Sequence, residues 1–450
     1  MASLRLILAI LSAMPAAAQT GDGLKPLTPR ERELNRQSFE LVWTTVRDQH
    51  WDPKLNGVNW KSARWRTLPR IQRAKNMDEV RAALRRMLDS LGQSHFSILP
   101  AEVYREIDLS EPGGGQPPVA SPGGGPAAAS EKRQEECVTG IEPGMVDGQA
   151  MVVRVRPGSP AQKAGVRPGW ILEKVDGVVM RSTGDVIGAA EIQEKERYQV
   201  AAIEAWLQGP LDKEVEVDLL DGTLQRRTLR LPRMRPEGRL AGFGHLPAER
   251  VWLESRRLPY EVGYVRLNVF LDPEEVMPRF EKAVRECLPC KGFIIDLRGN
   301  PGGIGGMSMG MAGWFFRRGG QRLGTMRSRF LTEDFEIHPR PETFTGNVAV
   351  LVDGRSASTA EILAAGLQDL GRARIFGTPT AGAALPSQIL KLPNGDGFQY
   401  AVASYVSRNG KKLEGQGVAP DTIVSHTRAS LLDGKDAVID AAVEWILKEK

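Results

Sequence analysis

Histidine and cysteine are scarce in this chain, five and three residues of 450. Cys137, Cys287 and Cys290 cannot build a disulfide framework, and no Cys/His spacing of the zinc-binding kind occurs, so no metal site is expected. Cys287-Leu-Pro-Cys290 has the spacing of a redox pair without thioredoxin-like surroundings, which leaves a local disulfide or two buried thiols. The phosphate-loop pattern Gly-x-x-x-x-Gly-Lys-Ser/Thr is missing, and Gly299-Asn-Pro-Gly-Gly-Ile-Gly-Gly306 lacks the Gly-x-Gly-x-x-Gly frame of dinucleotide sites. No cofactor is therefore expected. No segment approaches the roughly 18 uninterrupted apolar residues of a membrane helix. The formal charge of +5 comes from cations scattered among nearly as many acids, which argues against a nucleic-acid-binding arm.

What is present begins with an export-like terminus. Met1-Ala-Ser-Leu-Arg5 gives a basic start, Leu6-Ile-Leu-Ala-Ile-Leu11 a short apolar stretch and Ala16-Ala-Ala18 a small-residue site. Residues 1–18 thus read as a secretory signal, with a retained anchor as the alternative, and the product is expected to be periplasmic or secreted. Residues 19–110 carry helical periodicity, in Phe39, Leu41, Val42 and Val46 and again in Val80, Leu84, Met87 and Leu88. They close on Leu91-Gly-Gln-Ser-His-Phe-Ser-Ile-Leu99, where Gly92 can stop a helix and a strand-like alternation follows. Residues 111–136 hold two Gly-Gly-Gly runs among Pro, Ala and Ser, a composition that cannot bury a core and reads as a linker. Residues 137–235 form a β-rich unit: a glycine turn at Gly140-Ile141, a strand at Ala150-Met-Val-Val-Arg-Val155, a helical stretch near 190–207 and a strand at 215–219. Residues 236–450 alternate strands and helices, the pattern of a mostly parallel α/β sheet whose ligand sites lie beyond the carboxyl ends of its strands.

Ser358 sits at such an end. Asn347-Val-Ala-Val-Leu-Val-Asp353 is apolar and β-branched, and helical spacing resumes at Ala360, so the hydroxyl stands where a strand turns into a helix. Such a serine is either an exposed nucleophile or, with Glu361 three residues on, a capping box. A nucleophile needs a base. His50 lies in the helical region, His245 in a domain joint, His338 beside Pro339 and His426 in a polar tail; only His95 stands at a Gly-bearing helix-to-strand junction beside another hydroxyl, Ser94. The glycines at 302 and 303 serve either a tight turn or a close approach of backbone N–H groups to a developing oxyanion.

The run Gly158-Ser-Pro-Ala-Gln-Lys-Ala-Gly-Val-Arg-Pro-Gly-Trp-Ile-Leu-Glu-Lys-Val-Asp-Gly177 resembles a PDZ domain, with Trp170 where that family usually has Asp. By that resemblance Gly140 and Ile141 would cradle the carboxylate of a peptide added as a strand, or the domain would only prop up its neighbour. Val262-Gly-Tyr-Val-Arg-Leu-Asn-Val-Phe270, Asp296-Leu-Arg-Gly-Asn-Pro-Gly-Gly303, Ser356-Ala-Ser-Thr-Ala-Glu361 and Gly415-Gln-Gly-Val-Ala-Pro-Asp421 follow in order. Together they resemble the C-terminal processing, or tail-specific, peptidases of serine peptidase family S41. The resemblance implies a crotonase-like α/β core with an N-terminal helical region and an inserted PDZ-like domain, and it makes Ser358 the nucleophile.

One branch of that family pairs its serine with a lysine in Thr-x-Gly-Lys. Here the segment is Thr380-Ala-Gly-Ala383, and Lys391 lies outside the register. The branch that includes the tricorn core protease also lacks that lysine and uses a Ser-His pair with a later glutamate, which Ser94-His95 and Glu414 match. The resemblance thus implies Ser358 as nucleophile, His95 as base, Glu414 and Ser94 as orienting groups, and Thr359 with Gly302 or Gly303 as oxyanion donors. It implies an exported serine endopeptidase acting on proteins or peptides, recognised by their C-termini. The competing readings are a non-catalytic binding protein on the same fold, as in the retinoid-binding repeats of the eye, and a PDZ adaptor whose core only presents a partner.

Overall fold

A computed structural model describes residues 25–101, 104, 136–180, 189–243 and 246–448. The expected signal at 1–18, nearly all of the expected linker at 111–136, and His245 lie outside the described residues. The chain divides into two compact units, one of the N-terminal region with Gly238–Ser425 and Ala437–Lys450, the other of the intervening residues to Glu237 with His426–Asp436.

The first unit opens with helices α1 (Pro29–Gln49), α2 (Trp60–Arg73) and α3 (Met77–Asp89). Each starts at a polar cap, Thr28, Asn59 or Asn76, whose side chain accepts an N–H from the first turn. The expected apolar stripe is buried, and Phe39, Val42, Val46, Val80, Leu84 and Leu88 share one cluster with Leu392, Phe398 and Tyr400 from much later in the chain. Along that seam Arg81 and Asp396 form a buried ion pair at 2.8 Å. The strand Ser97–Leu99 adds antiparallel to Gly397–Ala401. The N-terminal helices are therefore part of the same body as the α/β core.

That core is built on a six-stranded sheet: Leu253–Leu258, Val262–Leu267, Gly292–Asp296, Asn347–Val352, Ala373–Gly377 and Thr422–Ile423. The first pair is antiparallel and the other four pairs are parallel. Every residue of Gly292–Asp296 is buried, which is why its sequence is a continuous apolar run up to Asp296. The helices Pro273–Glu286, Gly305–Ala312 and Thr359–Asp369 lie in the connections. Cys287 and Cys290 close a disulfide just past the first of these, the local bridge of the two readings. A second antiparallel sheet, Thr332–Ile337, Gln321–Ser328 and Ala403–Ser407, had no place in the sequence reading, because charged pairs such as Arg322 opposite Glu336 break its apolar alternation.

In the second unit the sheet runs Ile141–Val146, Gln149–Val155, Ile171–Val175, Val215–Leu220 and Arg226–Leu231. Ile203 and Leu207 of the helix Ala189–Leu207 pack beneath it with Val152, Leu172 and Val217. Ile141 opens a strand instead of sitting in a turn. The turn ends at Gly140, whose φ of +87° and close approach to Ser159 leave no room for a side chain. The short helix Arg428–Leu432 also belongs here, with Leu431 against Val146 and Met151 and the Arg428 guanidinium donating to the carbonyls of Gly169 and Asp221.

Candidate active site

The loop after Asn347–Val352 is organised by Asp353, whose Oδ1 accepts the N–H groups of Gly299, Arg355 and Ser356 at 2.9, 2.9 and 3.0 Å. Ser356 is buried and its hydroxyl donates to the Leu297 carbonyl at 2.8 Å, so it is a structural tie. Ser358, two residues on, has φ 52° and ψ −119°, a backbone that side-chain-bearing residues rarely adopt. Its N–H is shared between the Ala383 carbonyl and a Glu361 carboxylate oxygen, each at 2.9 Å. One half of the expected capping box is thus made, from Glu361 back to the cap N–H. The other half is looser: the Ser358 side chain faces the Glu361 N–H in the capping-box arrangement without making a full cap hydrogen bond. The hydroxyl is left half-buried at the start of the helix Thr359–Asp369.

Two backbone donors flank it. The Thr359 N–H at the helix start and the Gly303 N–H donate to no other group among the described residues. The Thr359 hydroxyl donates to the Gly303 carbonyl at 2.8 Å and ties the two together. Gly302 is a correction to the sequence reading, because its N–H is already spent on Asn300 Oδ1 at 2.8 Å. Its importance is steric: with φ +100°, an added Cβ would lie 2.7 Å from the Ser358 Cβ. The neighbouring Phe270 clamps the loop on both sides, its N–H donating to the Gly302 carbonyl and its carbonyl accepting from Ile304, each at 2.7 Å.

The histidine side of the site comes from the N-terminal region. His95 also has a positive φ, 63°. Glu414 Oε1 accepts the Ser94 N–H at 2.6 Å, Glu414 Oε2 accepts the Ser94 hydroxyl at 2.9 Å, and Ser94 Oγ lies 2.5 Å from His95 Nδ1. An ionised carboxylate only accepts, so Ser94 gives its proton to Glu414 and takes the Nδ1–H of His95, leaving Nε2 as the free base. Burial pushes His95 down to about 4, which keeps it neutral at ordinary pH, and raises the Glu414 carboxyl above its usual value. Glu414 acts on His95 through Ser94, not by direct contact.

The Thr380–Ala384 segment, where a lysine is absent, joins the two halves. Ala383 accepts the Ser358 N–H at 2.9 Å and Ala384 donates to Glu414 Oε2 at 3.2 Å. Glu361, fully buried, holds the same segment through the Thr380 hydroxyl and the Gly382 and Ala383 N–H groups at 2.5, 2.7 and 3.1 Å. The Ser358 N–H and the Glu414–Ser94–His95 chain are therefore anchored to one peptide, Ala383–Ala384, although no hydrogen bond joins the Ser358 hydroxyl to His95. Lys391 is exposed and its ammonium lies 5.7 Å from the Tyr104 ring centre, in keeping with its exclusion as a base. His50 is buried against Gln93 at 2.9 Å and stacked on Phe96, a structural partner of the His95 turn. Sequence reasoning took Glu361 for a cap and passed over Asn300; the only signal for either was its place inside a matched motif.

Residues 261–424 match the model of peptidase family S41, residues 32–89 that of the tricorn protease C1 domain, and residues 151–197 that of a PDZ domain. The chain therefore carries a peptidase S41 domain. It is a serine peptidase with a PDZ domain, acting on proteins or peptides. The chain is 25% identical to the carboxyl-terminal-processing peptidase 3, chloroplastic, of Arabidopsis thaliana, over 93% of its length and 75% of the relative's. To the carboxyl-terminal-processing protease of Synechocystis sp. it is also 25% identical, over 90% and 83%. Its fold is shared with the photosystem II D1 C-terminal processing protease at TM-score 0.54, with 22% identity over 92% of this chain and 99% of the other. Mature CPAF gives TM-score 0.56, with 14% identity over 93% and 96%.

Proposed function

We propose that this S41 chain is an exported endopeptidase in which Ser358 attacks the peptide carbonyl and His95 is the base. His95 Nε2 takes the Ser358 proton as the new C–O bond forms and returns it to the leaving amine when the C–N bond breaks; water then hydrolyses the ester by the same proton path. The Thr359 and Gly303 N–H groups hold the oxyanion, and the Thr359 N–H is further favoured by the helix dipole. Glu414 and Ser94 fix the tautomer of His95 and stabilise the imidazolium that forms. The observation that carries the reading is the unbroken path from Glu414 through Ser94 to His95 Nδ1, bound to the peptide that also accepts the Ser358 N–H.

Substrates are drawn in by their C-termini through the PDZ unit, by strand addition along Ile141–Val146, which is the terminal strand of its sheet among the described residues. The cradle is a part-formed one in this state: the Ile141 N–H is drawn to the Thr139 hydroxyl at 3.3 Å. Export rests on the N-terminal pattern, and no described helix is long and apolar enough to cross a membrane. Fluorophosphonate labelling tests the chemistry. Wild type should be labelled and cleave peptides, and Ser358→Ala should do neither; an unlabelled, inactive wild type would leave the binding protein on the same fold as the better reading.

A further inference from the structure

Helix α2 and the two residues after it, 60–75, contain Lys61, Arg64, Arg66, Arg70, Arg73 and Lys75 and no acid. Its buried positions, Trp60, Ala63, Thr67 and Ile71, face the core. Arg64 is used internally, paired with Glu40 at 2.5 Å. The other five cations are exposed, and among the described residues none forms an ion pair with an acid. Most carboxylates on the adjoining helices are engaged locally: Glu31 with Thr28, Glu33 with Arg36, Asp48 with Arg47, Asp78 with Arg81 and Glu79 with the Lys75 N–H. In the middle of this cationic face stands Trp65, 72% exposed, a large aromatic that folding leaves in water.

We propose that this face of α2 docks the peptidase on an anionic phospholipid surface. Charge complementarity identifies the partner as anionic, and the exposed indole identifies it as lipid. An amphipathic ring among cations belongs at the headgroup level of a bilayer, where its apolar body is buried and its N–H stays wet. A single aromatic on one helix face offers none of the successive stacking platforms or the basic groove that hold a nucleic-acid strand. Each cation contributes roughly a five-fold gain in partition to an anionic membrane, so the face acts as a reversible anchor.

The test is co-sedimentation of the full chain with vesicles of phosphatidylcholine, with and without phosphatidylglycerol. Every variant keeps the same N-terminal apolar run, so differences between variants read the α2 face alone. Wild type should show a phosphatidylglycerol-dependent component that high salt removes. The triple variant Arg66→Gln, Arg70→Gln, Arg73→Gln should lose roughly a hundredfold of that component at an unchanged thermal midpoint, because all three side chains are exposed. Trp65→Ala should weaken binding several-fold while leaving the salt dependence intact. Equal binding by wild type and the triple variant overturns the proposal. So does capture of duplex DNA by this face with no response to phosphatidylglycerol.

Discussion

The two strained turns of the site, at Ser358 and at His95, are held in opposite ways. Ser358 hangs from the carboxyl end of the main sheet, and its supports, Asp353, Asn300, Glu361 and Ala383, belong to the same sheet end and the helix that leaves it. His95 sits in a turn of the N-terminal region, and its decisive partner, Glu414, lies 320 residues beyond Ser94. Its body is fixed to the core by the Arg81–Asp396 pair and the Ser97–Leu99 strand. A positive φ at a non-glycine residue persists only where its surroundings over-determine it. At Ser358 adjoining loops supply that determination, and at His95 contacts with residues some 300 positions later in the same body supply it. The serine turn is fixed locally; the histidine turn is fixed over distance.

The comparison is broken most severely by removing the base itself. His95→Ala should lower kcat by about 10⁴ or more while slow fluorophosphonate labelling of Ser358 persists; a loss below tenfold would mean that another group takes the proton. Next in size is the long-range seam. Arg81→Met strands the buried Asp396 carboxylate and should cost about 3 kcal/mol in denaturant unfolding, with no such loss for the exposed pair partner Arg285→Met. Glu414→Gln removes the charge that fixes the tautomer but keeps the shape, so kcat should fall about 10²-fold with KM little changed. A rise in KM alone would make Glu414 a scaffold residue.

The smallest effect is on pH. His95 is held down to about 4 by burial, against about 6.5 unfolded, so the unfolded chain takes up that proton first, and its contribution to stability is lost as pH falls from 6.5 towards 4. Glu414 runs the other way: burial raises its carboxyl, so ionising it opposes folding instead of favouring it. The acid limb of kcat/KM should therefore lie below the ordinary histidine range and move with Glu414→Gln; a limb centred near 6.5 contradicts a buried, neutral His95.

Much of this was legible in the residues. The continuous apolar run at Asn347–Val352 marked a buried parallel strand, and the spacing of Phe39, Val42 and Val46 and of Val80, Leu84 and Leu88 marked two of the N-terminal helices. Ser358, His95, Ser94 and Glu414 were all named as candidates, since motifs keep hydroxyls, rings and carboxylates in a recognisable order. Gly302 was assigned a donor that Asn300 had already taken, because a hydrogen-bond partner two residues away cannot be read from a glycine pattern. The cationic face of α2 was hidden by averaging: over the whole chain the cations are balanced by acids, and only the fold decides which of them meet water on one side of one helix.

By itself, the sequence determined where strands and helices form and which side chains carry reactive groups, because periodicity, capping and side-chain chemistry act over a few residues. Tertiary structure alone decided which backbone N–H groups stay free beside Ser358. It also decided that Glu414 reaches His95 through Ser94, and that the Thr380–Ala384 segment bonds both to the Ser358 N–H and to Glu414. Those outcomes depend on contacts between residues far apart in the chain, set by burial and by the need to pair every buried polar group.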